Sequence, residues 1–216
     1  MSRKRVAILI SGRGSNMMAL IDAAKAPSYP VDIAVVISNV ADAAGLMAAK
    51  SAGITTIIID HRRFADREAF EKAMHAELLK HNVEIVCLAG FMRLLTPWFV
   101  SQWQGRLLNI HPSLLPAFKG LDTHARALAA GVKIHGASVH FVVPELDSGP
   151  IIAQGAVPVT NEDTAEALAE RVLALEHRLY PMALRLVAEE RVRIVDGTCR
   201  IDGAGASQLS LVVPED

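Results

Sequence analysis

Val6-Ala7-Ile8-Leu9-Ile10-Ser11-Gly12-Arg13-Gly14-Ser15-Asn16 is the stretch on which the fold turns. Five aliphatic residues run without a polar break, as in a parallel strand covered on both faces rather than one. A loop with two glycines follows, and a helical pattern over Asn16–Ala26 comes directly after it. Glycines at such a turn let backbone N–H groups approach an anion, and a helix N-terminus favours negative charge there. A dinucleotide fingerprint would place a third glycine at position 17, where Met17 stands. It would also end the second strand on a ribose-binding acid, where Asn39 stands. Both departures count against NAD. A monophosphate site on Gly14, Ser15 and Asn16 remains, with an unliganded tight turn as the alternative.

The same alternation continues. Ile33–Ile37, Thr56–Ile59 and Glu84–Leu88 are further aliphatic, β-branched runs. Ala43–Ala52 and Asp66–His81 read as helices between them, the latter with Phe70, Met74 and Leu78 on one stripe. Strand and helix in this rhythm imply right-handed crossovers and an α/β fold, a single-domain, doubly wound, mostly parallel sheet. A helix over Thr96–Trp103 is expected, with Thr96 as N-cap and Pro97 at its first position. Leu107–Ile110 then forms a strand, a loop rich in proline and glycine follows, and Ser138–Val143 and Ile151–Val159 add two more strands. A long helix spans about 164–190, beginning near Asn161 or Thr164, and Pro181 is expected to bend or interrupt it. From Gly203 the tail is small and polar, hence loop-like or mobile. No repeat, linker or second domain is visible.

With 216 residues, the chain is large enough for a substantial core. Its 22 basic and 23 acidic side chains leave a net charge of -1, without the basic excess of a nucleic-acid binder. No apolar stretch approaches a membrane span of about 18 residues, and Val6–Ile10, after the basic start, is too short for the apolar core of a signal peptide. Two cysteines make no disulfide framework, and Cys87 reads as a buried small hydrophobe. The chain therefore reads as cytoplasmic.

Chemistry concentrates in Asn109-Ile110-His111-Pro112-Ser113-Leu114-Leu115-Pro116 and Leu146-Asp147-Ser148-Gly149-Pro150. Asn109 and His111 alternate at the end of a strand, so both can project to one side. A neutral amide and a charged imidazole can together hold a tetrahedral oxyanion, at roughly 3–4 kcal/mol per donor. Asp147 could orient the ring and favour its charged form. The plainer readings are a structural histidine and a turn aspartate. His135 and His140 lie on opposite faces of an unbroken strand, and no other metal-ligand spacing is present.

Taken together, these motifs resemble the phosphoribosylglycinamide formyltransferases, a folate-dependent formyltransferase family. The likeness runs from Ile8-Leu9-Ile10-Ser11-Gly12 to Glu176-His177-Arg178-Leu179-Tyr180-Pro181. Leu88-Ala89-Gly90-Phe91-Met92-Arg93, Leu107 to Pro116, His135 to Val142 and Glu145 to Pro150 carry most of it. The resemblance implies transfer of the formyl group of 10-formyltetrahydrofolate to the primary amine of glycinamide ribonucleotide, in purine biosynthesis. It implies Asn109, His111 and Asp147 as the catalytic trio. Gly14, Ser15 and Asn16 would hold the ribonucleotide phosphate and Glu176 the rest of that substrate. Met92, Arg93, Leu94, Leu95, Val100 and Leu107, with Val142, Val143, Glu145 and Asp147, match the folate pocket, and Arg67 lies near it.

On this reading residues 1–216 form one formyltransferase domain. Residues 1–105 bind the ribonucleotide phosphate, 106–202 carry catalysis and the folate, and 203–216 are tail. Partners are small molecules, with no metal, nucleic acid or membrane, and the chain is a monomer or homodimer. Arg126 stands where the family commonly has glutamine and Lys119 where proline is common, which bears on loop conformation. His124 matches a recurrent histidine without a firm role, and His140 reads as supporting the site. Methionyl-tRNA formyltransferases share some elements but add a C-terminal domain, and formyltetrahydrofolate hydrolases usually add an N-terminal one. A non-catalytic folate- or nucleotide-binding module is the rival from another class.

Overall fold

A computed structural model describes residues 3–203 and residue 213. The expected loop-like tail therefore lies, beyond Gly203, almost wholly outside the described residues. Seven strands form one sheet: β1 (Lys4–Ile10), β2 (Val31–Ser38), β3 (Thr56–Ile58), β4 (Ile85–Leu88), β5 (Leu107–His111), β6 (Ile134–Phe141) and β7 (Ile151–Pro158). Their order is β3-β2-β1-β4-β5-β6-β7. The first five are mutually parallel, and β6 pairs antiparallel with both β5 and β7. The doubly wound, mostly parallel sheet expected from the sequence is thus present.

Two-sided burial explains the unbroken aliphatic runs. Val6, Ile8 and Ile10 of β1 enter one core, while Ala7 and Leu9 enter the other. The first core lies under α1 (Ser15–Ala24), α2 (Ala44–Ser51) and α6 (Ala165–Ala188); the second lies under α3 (Arg67–Lys80) and α4 (Pro97–Gln102). Phe70, Met74 and Leu78 form the buried stripe of α3. Each such side chain contributes about 1.5–3 kcal/mol relative to an exposed one. Thr96 caps α4 by accepting from the Phe99 N–H, and Pro97 opens it. Thr164 caps α6 in the same way through Ala167.

Three expectations need correction, and one element was not expected. Pro181 does not interrupt α6, which runs 24 residues. Packing against the sheet and α1 overrides the lost donor. The Tyr180 hydroxyl also reaches the Leu88 and Leu108 carbonyls, at 3.0 and 3.2 Å, and Tyr29 donates to the Pro181 carbonyl. β6 begins four residues earlier than expected, because Gly136 is a site of close approach and not a breaker. A Cβ there would lie 1.9 Å from the Gly155 carbonyl oxygen. The loop before β6 contains a short helix, α5 (Thr123–Ala129), hidden in the sequence between Gly120 and Gly131. After α6 comes a hairpin, β8 (Val192–Val195) and β9 (Thr198–Ile201), turned on Asp196-Gly197. Both turn residues are left-handed, at φ 49 and 73°, as a two-residue I′ hairpin requires.

Among the described residues, no helix is long and apolar enough to cross a membrane.

Candidate active site

The strand order reverses between β1 and β4, the position where open α/β sheets bind ligands beyond their strand ends. Ser11 spans that gap. Its hydroxyl donates to Asn39 Oδ1 at 2.6 Å and accepts from the Met92 N–H at 2.8 Å, joining the ends of β1, β2 and β4. Asn39 and Ser11 were not foreseen in this role.

On one side of the gap, Gly14 caps α1 at φ 72°, in the left-handed region that favours glycine. The first turn of α1 holds no acidic side chain and no side-chain cap, so its N–H groups and dipole are available to an anion. Asn16, in that first turn, is buried and donates from Nδ2 to Glu176 Oε2 at 2.7 Å, across 160 residues of sequence. Burial pushes the Glu176 carboxyl up to about 7, against the opposing effect of the Asn16 hydrogen bond. Gly14, Ser15, Asn16 and Glu176, all expected to be substrate contacts, are therefore brought to one place.

On the other side, β5 ends in Asn109 and His111. Leu107 enters the α3/α4 core, so period-2 alternation sends Asn109 and His111 toward that same face, beyond the apolar layer. Asn109 pairs across strands with His140 of β6. Asn109 Nδ2 lies 3.3 Å from His140 Nε2, while His140 Nδ1 lies 2.9 Å from the Phe141 carbonyl. A carbonyl only accepts, so Nδ1 carries the hydrogen and Nε2 offers a lone pair to the amide. Burial lowers the His140 pKa and keeps that neutral form. One hydrogen of the Asn109 amide is thus committed and the other remains.

Asp147 comes to this place from the loop after β6, itself left-handed at φ 46°. Its Oδ2 lies 3.4 Å from His111 Nδ1 and accepts from the Gly120 N–H at 2.9 Å, while Oδ1 lies 3.8 Å from His140 Nε2. Both ring and carboxylate are about 8 % exposed, so the pair is poorly screened. The other ring nitrogen, Nε2 of His111, donates to the Phe118 carbonyl at 3.0 Å. Asn109, His111 and Asp147 therefore converge, with His140 as a fourth member. His140 was expected to support the site; its place opposite Asn109 is what only the antiparallel register reveals. His124 and His135 form an edge-on pair behind the loop, 5.3 Å between centroids. Burial lowers both, His135 to about 4, so they act there as neutral packing groups.

The expected pocket residues separate by depth. Val100 and Leu107 are core residues beneath the site, Leu95 and Val142 pack at its edge, and Val143 and Arg93 are half-buried. Met92, Leu94, Leu146 and Leu121 are exposed large hydrophobics, at 66, 60, 53 and 70 %. Glu145 is exposed, as is Arg67 at the start of α3; neither Arg67 nor Arg93 forms an ion pair among the described residues. Apolar side chains held in water beside buried polar groups suit a flat amphipathic ligand. Among the described residues no group of His, Cys, Asp and Glu is arranged to hold a metal.

Comparison with known proteins places the chain in a family. The family model described as formyl transferase matches residues 4–184. The chain is 45 % identical to the phosphoribosylglycinamide formyltransferase of Escherichia coli over 92 % of its own length and 93 % of that protein's. It is 52 % identical to the trifunctional purine biosynthetic protein adenosine-3 of Bos taurus, covering 89 % of this chain but 19 % of that one. The chain thus spans about a fifth of such trifunctional relatives. The crystal structure of glycinamide ribonucleotide transformylase 1 from Symbiobacterium toebii superposes with a TM-score of 0.90 at 47 % identity, over 92 % of this chain and 94 % of that one.

Proposed function

The chain belongs to the formyl transferase family, and on that premise we propose that it transfers the formyl group of 10-formyltetrahydrofolate to the primary amine of glycinamide ribonucleotide. The carrying observation is the convergence of Asn109, His111 and Asp147 at the end of β5, in a sheet whose switch point also carries the Gly14/Asn16/Glu176 cradle. The cradle binds the ribonucleotide, phosphate on the N–H groups of α1 and the remainder against Glu176. The folate enters between the exposed Met92 and Leu94 and the loop 142–147, with Arg67 and Arg93 toward its anionic tail. Residues 1–105 thus supply the phosphate loop and one wall of the folate site, and 106–202 the catalytic trio, Glu176 and the loop 142–147.

The amine attacks the formyl carbon, and the carbonyl oxygen becomes an oxyanion. Asn109 meets it with the amide hydrogen that His140 does not take. His111 donates from Nε2 to Phe118, and its Nδ1 faces Asp147 at 3.4 Å, a charge contact rather than a formed hydrogen bond, and it is this contact that is exchanged. Asp147 supplies the exchange: when it accepts the proton of the attacking nitrogen its charge is lost, and the His111 Nδ1–H turns to the new anion. Asp147 then passes that proton to N10 as the carbon–N10 bond breaks. Proximity of the two substrates does the rest, with no covalent enzyme intermediate. The reaction requires no metal. The ligands are small molecules in a cytoplasmic setting, with the protein a monomer or homodimer.

Mixing enzyme with 10-formyltetrahydrofolate, with and without glycinamide ribonucleotide, tests the proposal. Folate release that depends on the amine, with formylated ribonucleotide detected by mass spectrometry, is expected. Amine-independent release would mean a hydrolase, and no release a binding module.

A further inference from the structure

We propose that Arg126 is a positioning residue that latches the Phe118–Leu121 loop onto His111 and Asp147. The inference rests on the formyl-transfer reading for its kinetic consequence, but its geometry stands apart from it. The loop holds both catalytic side chains by main-chain atoms alone. The Phe118 carbonyl accepts from His111 Nε2 at 3.0 Å, and the Gly120 N–H donates to Asp147 Oδ2 at 2.9 Å. Those atoms point correctly only because the backbone is left-handed at non-glycine residues on both sides of Gly120, Phe118 at φ 53° and Asp122 at φ 55°. Such a conformation is uncommon for an aromatic residue and persists only where the surroundings impose it.

Arg126 is the imposing group. From α5 its Nη1 donates to the Lys119 carbonyl at 2.6 Å and the Leu121 carbonyl at 3.2 Å, and the guanidinium lies 5.8 Å from the Phe118 ring. It therefore grips the loop either side of Gly120 and covers the strained aromatic. α5 is itself fixed, with Thr123 and Ala127 buried and the helix packed on α6. A second tie reaches the opposite loop, where Lys119 Nζ donates to Ser148 Oγ at 2.7 Å. Arg126 touches neither reacting group. An exposed side chain of this kind holds little of the global fold, so its effect concentrates on where the Phe118 carbonyl and the Gly120 N–H point.

The test uses full-length 15N-labelled protein and ring-nitrogen NMR beside steady-state kinetics. In the wild type, a hydrogen-bonded Nε2–H signal is assigned to His111 by its loss in His111→Gln. Arg126→Ala is expected to abolish or broaden that signal and lower kcat about tenfold or more, as small misplacements of catalytic groups do. KM for both substrates should stay within about twofold, because ground-state contacts are untouched. Tm should move by no more than about 3 °C. Arg126→Lys, which keeps one charged donor, should restore part of both. If Arg126→Ala does not fold, Arg126→Gln, whose amide reaches one carbonyl, carries the same test with a smaller loss. Retention of the His111 signal, or of wild-type kcat, overturns the latch. A wild type that transfers no formyl group would defeat the functional reading, while the ring spectrum still decides the latch.

Discussion

The two sides of the cleft are held by different kinds of backbone. The ribonucleotide cradle sits on long regular elements: a helix N-terminus after β1 and the middle of the 24-residue α6, joined by the Asn16–Glu176 bond. Only Gly14 there needs an unusual conformation. The catalytic side takes Asn109 and His111 from a strand, but Asp147, the Phe118 carbonyl and the Gly120 N–H come from two loops with left-handed residues. The cradle stores its cost as a buried acid, the catalytic side as backbone strain. Each cost is tolerated where it is repaid by a ligand or a transition state.

That contrast breaks first on the catalytic side. Asn109→Ala and His111→Ala should each lower kcat about 10²–10³-fold, the loss of one oxyanion donor, with the circular dichroism spectrum unchanged. On the cradle side the large effect is on stability. The Glu176 carboxyl has a folded pKa of about 7 against an ordinary 4.5. Between those values the folded protein holds a proton that the unfolded chain has lost, so ligand-free stability falls as pH rises from about 4.5 to 7. Glu176→Gln removes the titration. Relative to wild type it should gain up to about 3 kcal/mol at pH 8 and little at pH 4, in urea melts at both pH values. On the proposed function the same variant should bind the ribonucleotide more weakly, the ionised carboxylate being the expected acceptor. Equal stability of the two proteins at pH 8 would mean that the buried acid costs nothing.

Gly14→Ala sharpens the comparison at smaller scale. Its Cβ would lie 3.0 Å from Met17 Cε and 3.1 Å from Gly45 Cα at a φ of 72°. A loss of about 1–2 kcal/mol in stability is expected, with phosphate-dependent binding weakened about tenfold, by calorimetry. Tyr180→Phe is smaller still. Losing its bond to the carbonyls of β4 and β5 should cost about 1 kcal/mol and leave kcat alone, because the tie lies beneath the sheet rather than in the cleft.

Legibility in the sequence follows the same division. Periodicity exposed the parallel strands, the stripe of α3 and the capped starts of α4 and α6, since two-sided burial writes itself into continuous apolar runs. The resemblance of motifs supplied the candidate site residues, and the fold brings Asn16 to Glu176 and Asn109 to His111 and Asp147. What stayed hidden depends on register or loop conformation. His140 faces Asn109 only because β6 runs antiparallel; α5 is too short for a stripe; and Gly136 reads as a breaker until Gly155 is seen against it. The β8–β9 hairpin did carry its signal, Asp196-Gly197 between the β-branched pair Ile194-Val195 and Thr198-Cys199, in a stretch given no structure from the sequence. Pro181 misled for the opposite reason: tertiary packing outweighed one missing donor.

Asp147→Asn, followed by single-turnover formyl transfer with both substrates saturating, tests most directly whether the His111–Asp147 pair couples proton movement to oxyanion capture. The amide keeps the shape and the Gly120 contact but accepts no proton. The account predicts a rate lower by about 10² or more with substrate affinities little changed. Turnover near the wild-type rate would contradict it.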